Sequence, residues 1–335
     1  MSRSASPGPI DAQIRPLVIG HRGAPGYRPE HTASAYRLAF EQGVDAVEPD
    51  IVVSRDGVLL IRHENEISGT TDIAAHPEFT DRRTTKTVDG VRTTGWFAED
   101  LDWAELARLR CRERLPLLRP VSARQDGAEP ILRLADLLAL IDAEARPVAA
   151  VIELKHVHFL DEQGHDLVEL LLAELAACGW ADRPGRLVIE CFELAPLIRL
   201  REAGLAAEYV FLLESAGAPA DELARLGRRA HDYEWYRGDS GLDALAGRVE
   251  GVSIAKRDLL SDPGIVERAA RRGLGVYTWT LRPENRFLAR EYRIGRDPAA
   301  WGDWRAEWSW ILETGVDGVF VDHPDLWLSL VPRPD

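Results

Sequence analysis

The chain has 335 residues, of which 45% are hydrophobic and 29% are charged, as is usual for a folded protein of this length. Its 41 basic and 55 acidic side chains give a formal net charge of −14, which disfavours nucleic acid and anionic membranes as partners. No apolar run approaches the roughly 18 residues of a membrane-spanning helix, so we expect no stable membrane insertion. The sequence leaves the oligomeric state open.

The N-terminal stretch is rich in Ser and Pro and lacks the basic-then-apolar pattern of a secretion signal. We therefore expect a cytoplasmic protein, or a secreted or periplasmic one if a signal was removed. Residues 1–14 are predicted to form a flexible tail. The three cysteines are far apart in the sequence and contain no C-x-x-C pair, which favours reduced thiols over a disulfide framework.

Short apolar runs alternate with amphipathic stretches along most of the chain, which indicates βα units around a parallel sheet. The predicted strands, in chain order, are Leu17–Gly20, Ala46–Val53, Ala149–Lys155, Arg186–Phe192, Ala207–Leu213, Gly251–Ala255, Gly275–Leu281 and Gly318–Asp322. The predicted helices between them are Thr32–Phe40, Asp166–Ala177, Leu194–Glu202, Asp221–Arg229, Ile265–Arg272 and Trp304–Thr314. Eight such strands predict an α/β fold, a (β/α)8 TIM barrel, with residues 17–330 forming a single domain.

Residues 64–130 break this alternation, because they contain many Thr, Asp, Arg and Gly residues and no strong strand pattern. We interpret them as an insertion after the hairpin of the second strand, with one helix at Leu101–Leu109. Long connections inside a compact domain often carry function.

The reactive side chains of a βα barrel come from the C-terminal ends of its strands, and charged residues occur there in this sequence. His21 and Arg22 follow the first strand, where an imidazole lies beside a guanidinium that can bind phosphate. Glu48 and Asp50 share one face of the second strand, and two buried carboxylates repel each other unless a cation lies between them. Taken alone, each pair also fits an ordinary loop or ion pair.

A hairpin signal at Asp56-Gly57 follows the second strand. Folding the chain about this turn pairs residues whose numbers sum to about 113, which places His63 opposite Asp50 to within one residue. The local sequence therefore predicts a second histidine beside the carboxylate pair.

Two later strands add further candidates. Glu153 and Lys155 share a face at the end of the third strand, as a third carboxylate and a point charge for a phosphoryl oxygen, or as a simple ion pair. Phe192 and Trp279 lie near the ends of the fourth and seventh strands, where aromatic faces can pack on a polyol or belong to the core. Together these residues predict metal-assisted phosphodiester cleavage with one Mg²⁺ or Ca²⁺, since hard oxygen ligands favour those ions.

The motifs resemble those of the glycerophosphodiester phosphodiesterase family in content and order, over roughly residues 17 to 326. In the first half of the chain, H-R-G appears as His21–Gly23, P-E-N-T as Pro29–Thr32, E-x-D as Glu48–Asp50, T-x-D-G as Ser54–Gly57 and H-D as His63–Glu64. Further along, E-x-K appears as Glu153–Lys155, W-T as Trp279–Thr280 and G-V-D-G-x-x-x-D as Gly315–Asp322.

The resemblance implies a phosphoric diester hydrolase that releases sn-glycerol 3-phosphate and an alcohol from a small glycerophosphodiester. It implies the following roles: His21 and His63 as acid and base; Glu48, Asp50 and Glu153 as metal ligands; Arg22 and Lys155 as phosphate-binding residues; and Phe192 and Trp279 as walls of the substrate pocket. Three positions depart from the family pattern: His31 replaces an Asn, Glu64 replaces an Asp, and Cys191 replaces a Ser.

Two other functions are compatible with the sequence. A lysophospholipase D or a phosphoinositide-type phospholipase would share the barrel but would need an apolar rim. A non-catalytic barrel that binds phosphorylated polyols would have little need for two acid–base histidines. The sequence does not distinguish Mg²⁺ from Ca²⁺, the preferred head group, or the base from the acid.

Overall fold

Eight parallel strands close into a barrel in the computed structural model, which describes residues 15–331. The barrel strands are Leu17–His21, Ala46–Glu48 continued by Asp50–Val53, Ala149–Leu154, Leu187–Cys191, Glu208–Leu213, Gly251–Ala255, Gly275–Leu281 and Gly318–Val321. The first strand pairs with both the second and the last, which closes the ring. The predicted (β/α)8 fold is therefore confirmed, while the predicted tail, residues 1–14, lies outside the described residues.

Helices cover the outside of the barrel. The α-helices of the described residues are Ala33–Gln42, Trp103–Leu106, Leu134–Asp142, Val157–Glu162, Leu167–Ala177, Leu194–Glu202, Ala220–Leu226, Tyr233–Arg237, Asp239–Leu245, Lys256–Ser261, Ile265–Ala270, Trp304–Glu313 and Pro324–Leu330. Among residues 15–331, none of them combines the length and apolar content that a bilayer span requires.

The helix Ala33–Gln42 shows how local sequence sets these boundaries. The Thr32 side chain accepts a hydrogen bond from the Ala35 N–H and begins the helix. Gly43 ends it in a left-handed conformation, with φ of 95°, that a side chain at Cβ would disfavour. Both boundaries match the predicted ones.

Residues 64–130 have more structure than the sequence indicated. They contain an antiparallel hairpin formed by Thr84–Val88 and Val91–Gly95, and the predicted helix at Leu101–Leu109 is reduced to Trp103–Leu106. We predicted no strong strand in this segment, and that prediction was wrong. Most side chains of the hairpin are exposed, so its sequence contains no buried apolar run that would indicate a strand. An apolar cluster that includes Phe79 and Leu106 packs this segment against Val52 and Leu60 of the second-strand hairpin.

The barrel interior has its own apolar cluster, separate from the larger one between the strands and helices. Its buried members are Ile19, Ala46, Ala149, Val151, Val188, Val210, Tyr277 and Phe320. Because side chains alternate along a strand, the residue two positions after each of these points to the same side. This alternation delivers the next set of side chains to the C-terminal mouth of the barrel.

Candidate active site

Titratable side chains replace apolar ones at the last inward position of four neighbouring strands. His21, Glu48, Glu153 and Glu190 each come two residues after a member of the interior cluster, and all are buried. The strand register pairs His21 with Glu48, and Glu153 with Glu190. The barrel therefore gathers an imidazole and three carboxylates at one end.

Backbone geometry after the first strand depends on glycine. A Cβ at Gly20 would lie 2.7 Å from the Gly23 carbonyl oxygen, and one at Gly23 would lie 2.7 Å from the Ala35 carbonyl carbon. Between them Arg22 adopts a left-handed φ of 56°, and its N–H donates to Glu48 Oε2 over 2.9 Å. Strain of this kind is typical of functional sites, and here it fixes the orientation of Glu48.

Three of the buried carboxylates can hold a metal ion. One oxygen from each of Glu48, Glu153 and Glu190 lies within 4.8 Å of the others. Both oxygens of Glu190 lack a hydrogen-bond partner among the described residues. Burial and then repulsion from Glu153 raise the pKa of Glu190 well above its usual value, and burial raises the pKa of Glu153 to about 8. A bound cation would relieve this repulsion, so the residues present fit the predicted divalent ion.

Asp50 lies beside this trio rather than within it. It pairs with Glu153 in the strand register, and its Oδ2 lies 2.9 Å from His31 Nε2 and 3.2 Å from Arg22 Nε. Burial works against ionisation, but Arg22 and the His31 hydrogen bond hold the pKa of Asp50 well below its usual value. Asp50 Oδ1 is buried without a hydrogen-bond partner among residues 15–331. His31, a departure from the family pattern, therefore orients a carboxylate, with its Nδ1 2.8 Å from Tyr36 Oη.

The first histidine forms a dyad with the end of the last strand. His21 Nδ1 lies 2.6 Å from Asp322 Oδ1. Asp322 Oδ2 accepts from Arg119 Nη2 over 2.6 Å and from Arg282 Nε over 2.8 Å. Burial, then Arg22, lowers the pKa of His21 to about 4. The imidazole is therefore neutral near pH 7, and the hydrogen bond at Nδ1 leaves Nε2 available for a substrate.

The second histidine forms a dyad with its neighbour in sequence. The hairpin pairs Ile51 with Ile61, one residue from the predicted register, so His63 arrives beside the second strand as expected. His63 Nδ1 lies 2.6 Å from Glu64 Oε1, so the longer carboxylate at this position does contact the imidazole. Burial, then Arg22 and Lys155, lowers the pKa of His63 to about 3.

The remaining predicted residues, Lys155, Phe192 and Trp279, form a chain of contacts that begins at Glu153. Lys155 Nζ donates to Glu153 Oε1 over 2.6 Å and lies 5.5 Å from the centre of the Phe192 ring. Phe192 and Trp279 meet edge to face with centroids 5.9 Å apart. Trp279 Nε1 is a buried donor without a partner among the described residues, which makes it available to a ligand hydroxyl.

Glu190 was not among the predicted site residues, and no contact between Asp322 and His21 was predicted. Glu190 had a signal, since a lone carboxylate interrupts the apolar run Leu187–Cys191 and occupies the same strand position as Glu153. The Asp322 contact joins the two ends of the chain, so only closure of the barrel reveals it.

Comparison with known proteins identifies the family. A family model described as the glycerophosphoryl diester phosphodiesterase family matches residues 21–326. The chain belongs to this family. The predicted family and its phosphoric diester hydrolase class are therefore confirmed.

Individual relatives agree with this assignment. A glycerophosphodiester phosphodiesterase of Arabidopsis thaliana is 29% identical over 92% of this chain and 84% of its own length. A probable glycerophosphodiester phosphodiesterase of Mycobacterium tuberculosis is 30% identical over 79% of this chain and 82% of its own length.

Solved structures share the fold. A putative glycerophosphoryl diester phosphodiesterase of Silicibacter pomeroyi superposes with a TM-score of 0.68 at 21% identity, covering 95% of this chain and 94% of its own. An Oleispira antarctica phosphodiesterase, solved with the product sn-glycerol-3-phosphate, superposes with a TM-score of 0.65 at 20% identity, covering 95% of this chain and 98% of its own.

Proposed function

We propose that this protein hydrolyses small glycerophosphodiesters to sn-glycerol 3-phosphate and an alcohol. The observation that carries the proposal is the pair of imidazoles, each with a carboxylate at Nδ1, beside a buried carboxylate trio. The family assignment and the product bound by the Oleispira relative support this substrate class.

The divalent cation would be held by Glu48, Asp50 and Glu153, with Glu190 as a further ligand. The unpartnered oxygens of Asp50 and Glu190 and the mutual repulsion of the trio support this set. When bound, Mg²⁺ or Ca²⁺ stabilises charge on a phosphoryl oxygen and orients the reacting hydroxyl. Both ions accept carboxylate oxygens, and the choice between them depends on ligand number and cavity size.

His21 and His63 would act as base and acid. One Nε2 removes the proton from the attacking oxygen, of water or of a neighbouring glycerol hydroxyl, as that oxygen bonds to phosphorus. The bond from phosphorus to the alcohol oxygen breaks, and the other histidine, as an imidazolium, donates its proton to that oxygen. Attack by water gives glycerol 3-phosphate directly, whereas attack by a glycerol hydroxyl gives a cyclic phosphate that a water then opens to glycerol 3-phosphate. An anionic phosphodiester raises the pKa of a nearby imidazole, which allows one of the two to carry this proton.

Arg22 and Lys155 would bind the remaining phosphoryl oxygens. Their cationic state is secure, since carboxylate neighbours outweigh burial and raise the pKa of both groups above the usual values. Phe192 and the unpartnered Trp279 Nε1 would contact the glycerol carbons and a glycerol hydroxyl.

A coupled assay for glycerol 3-phosphate tests the proposal. The substrates are glycerophosphocholine, glycerophosphoethanolamine, glycerophosphoglycerol and one lysophospholipid, each with Mg²⁺ or Ca²⁺. For the lysophospholipid the released head-group alcohol is measured instead, because the acyl chain stays on the glycerol phosphate. We expect turnover of at least one soluble diester. Binding of these diesters without turnover of any would instead indicate the non-catalytic barrel that binds phosphorylated polyols.

One observation favours a lysophospholipid as a second substrate. Leu117 and Val121, beside Arg119 in the insertion, are 91% and 59% exposed, and Ile294 and Trp301 in the loop after the seventh strand are 60% and 46% exposed. The ion pair between Arg119 Nε and Glu284 Oε1, at 2.7 Å, joins these two segments near the mouth. Exposed apolar side chains beside a site can accept an acyl chain.

Replacing Leu117 and Val121 by Asp tests this second candidate. If the apolar residues bind an acyl chain, kcat/KM for lysophosphatidylcholine falls about 10-fold while that for glycerophosphocholine is unchanged. Leu223→Asp, at a 49% exposed position on the helix Ala220–Leu226, is the matched control. Equal turnover of the lysolipid by both variants would exclude this role.

A further inference from the structure

The carboxylates behind both histidines are held from the same short stretch of the insertion. Arg119 Nη2 donates to Asp322 Oδ2 over 2.6 Å, behind His21. Arg114 donates to both oxygens of Glu64, over 2.8 and 2.6 Å, behind His63. The short stretch that contains Arg114 and Arg119 therefore contacts the carboxylates of both histidine dyads.

Each guanidinium also bonds to loops at the mouth of the barrel, Arg119 through its two other nitrogens and Arg114 through Nε and Nη2. Arg119 donates through Nη1 to the Pro25 carbonyl over 3.1 Å and through Nε to Glu284 over 2.7 Å. Arg114 donates to both oxygens of Glu30, over 2.8 and 2.6 Å. Every nitrogen of the two guanidinium groups thus has a partner, as expected of groups that fix geometry.

The stretch between the two arginines is held as a compact turn. The Leu118 and Arg119 N–H groups both donate to the Leu115 carbonyl, over 2.9 and 2.8 Å. Glu113, buried at the start of the turn, accepts from the Leu115 N–H over 2.7 Å and from Ser122 Oγ. A shift of this turn would therefore move both carboxylates together.

We propose that Arg114 and Arg119 are positioning residues through which the insertion aligns both acid–base histidines at once. A carboxylate held at its second oxygen cannot rotate away from the imidazole, so it keeps the proton on Nδ1 and directs Nε2 to the substrate. This proposal rests on the proposed acid–base function of His21 and His63. The insertion, residues 64–130, would thereby orient catalytic residues of a barrel to which it adds no strand.

The test uses Arg114→Gln and Arg119→Gln with two substrates. On glycerophosphocholine we expect kcat to fall about 10- to 100-fold in each variant, with KM changed less than about 3-fold. On a glycerol diester with a 4-nitrophenyl leaving group, which departs without help from an acid, the variant that supports the acid should recover most of its kcat. The variant that supports the base should not recover.

Matched variants separate positioning from folding. Lys86→Gln removes another ion pair of the insertion, with Glu99 Oε1 at 2.8 Å, and should leave kcat unchanged on both substrates. Arg119→Lys and Arg114→Lys keep the charge but lose the planar fork, so they should recover part of the lost rate. If a Gln variant does not fold, the corresponding Lys variant still tests the proposal.

A readout without turnover distinguishes failure of this proposal from failure of the proposed function. In the resting protein, the His21 and His63 Nδ1 protons, each in a short hydrogen bond, should give separate downfield proton NMR signals. Arg119→Gln should shift only the His21 signal and Arg114→Gln only the His63 signal. Unchanged NMR signals would overturn the alignment role, and so would equal losses of kcat on both substrates in both variants. If the wild type is inactive but the variants shift the signals as expected, the result counts against the proposed function alone.

Discussion

The two histidine dyads reach the same mouth by different routes. The His21–Asp322 dyad joins the first and last barrel strands, and its side chains are 6% and 1% exposed. The His63–Glu64 dyad lies in a loop after the second-strand hairpin, and its side chains are 28% and 35% exposed. The His21–Asp322 dyad is therefore part of the closed barrel, whereas the His63–Glu64 dyad lies in a loop that contacts the insertion.

This difference shows what each dyad depends on. Asp322 is held by two arginines from separate segments, Arg119 and Arg282, so its geometry depends on the whole barrel. Within residues 15–331, Arg114 is the one arginine that donates to Glu64, so the geometry of Glu64 depends on the insertion. The barrel dyad should therefore be the stiffer and the more costly to disturb.

The largest expected effect comes from removing the proposed divalent cation, on which catalysis by either dyad depends. Exhaustive chelation with EDTA should abolish release of glycerol 3-phosphate, because three buried carboxylates repel one another and the reacting oxygens lose their cation. Addition of Mg²⁺ or Ca²⁺ should restore the rate. Full activity in metal-free buffer, verified by elemental analysis, would refute a carboxylate-bound cation.

Neutralising each dyad carboxylate sharpens the contrast between them. Asp322→Asn should lower kcat by about 10²- to 10⁴-fold, as expected when a buried imidazole loses its anionic partner. Glu64→Gln should cost about 10- to 100-fold, less than Asp322→Asn, since the Glu64 side chain is 35% exposed and the Asp322 side chain is buried. Steady-state kinetics on one diester measures both. A larger loss in Glu64→Gln would reverse the ranking of the dyads.

Glu190 provides a test of the trio that does not use activity. Glu190→Gln should weaken Mg²⁺ or Ca²⁺ binding about 10-fold or more by calorimetric titration, and should raise the Tm of the metal-free protein by removing repulsion from Glu153. Saturating ion should stabilise the wild type by about 2.7 kcal/mol at 100 times Kd. Unchanged ion affinity in Glu190→Gln would exclude this carboxylate as a ligand.

The smallest effects concern stability and its dependence on pH. Asp322→Asn removes the carboxylate that pairs with Arg282 and leaves Arg119 with Glu284 as its remaining ion-pair partner among residues 15–331, so it should lower the free energy of unfolding by about 3 kcal/mol at pH 7. Glu64→Gln should cost about 1 kcal/mol or less because its ion pair is partly exposed. Urea unfolding of both variants against the wild type measures these differences.

The pH dependence follows from the pKa of Asp322. Although burial opposes ionisation, Arg282 and Arg119 hold this pKa well below the usual value of 3.8. A depressed carboxyl pKa contributes stability that is present above the unfolded value and is lost as pH falls through the folded one. The stability gap between wild type and Asp322→Asn should therefore be constant from pH 7 to about 5 and narrow in more acidic buffer. A gap that widens on acidification would contradict the assignment.

Much of the barrel could be predicted because buried parallel strands are continuous apolar runs with recognisable boundaries. Six of the helices were indicated by their caps and spacing, and Thr32 and Gly43 fix one of them at both ends. The hairpin Thr84–Gly95 was not indicated, because an exposed two-stranded ribbon buries little and leaves no periodic signal.

The predicted site residues come together where motifs lie close in sequence, as with Glu48, Asp50 and the hairpin that brings His63. The contacts that orient them were not predictable, since Asp322, Arg119 and Arg114 meet their partners only after the barrel closes and the insertion packs. Charge alone could not select these arginines from the 41 basic side chains of the chain.

Turnover by metal-replete His21→Ala and His63→Ala, measured as release of glycerol 3-phosphate from the preferred diester, tests the two-histidine account most directly. Each folded variant is predicted to lose about 10²- to 10⁴-fold in kcat. Near-normal turnover by both variants would contradict it.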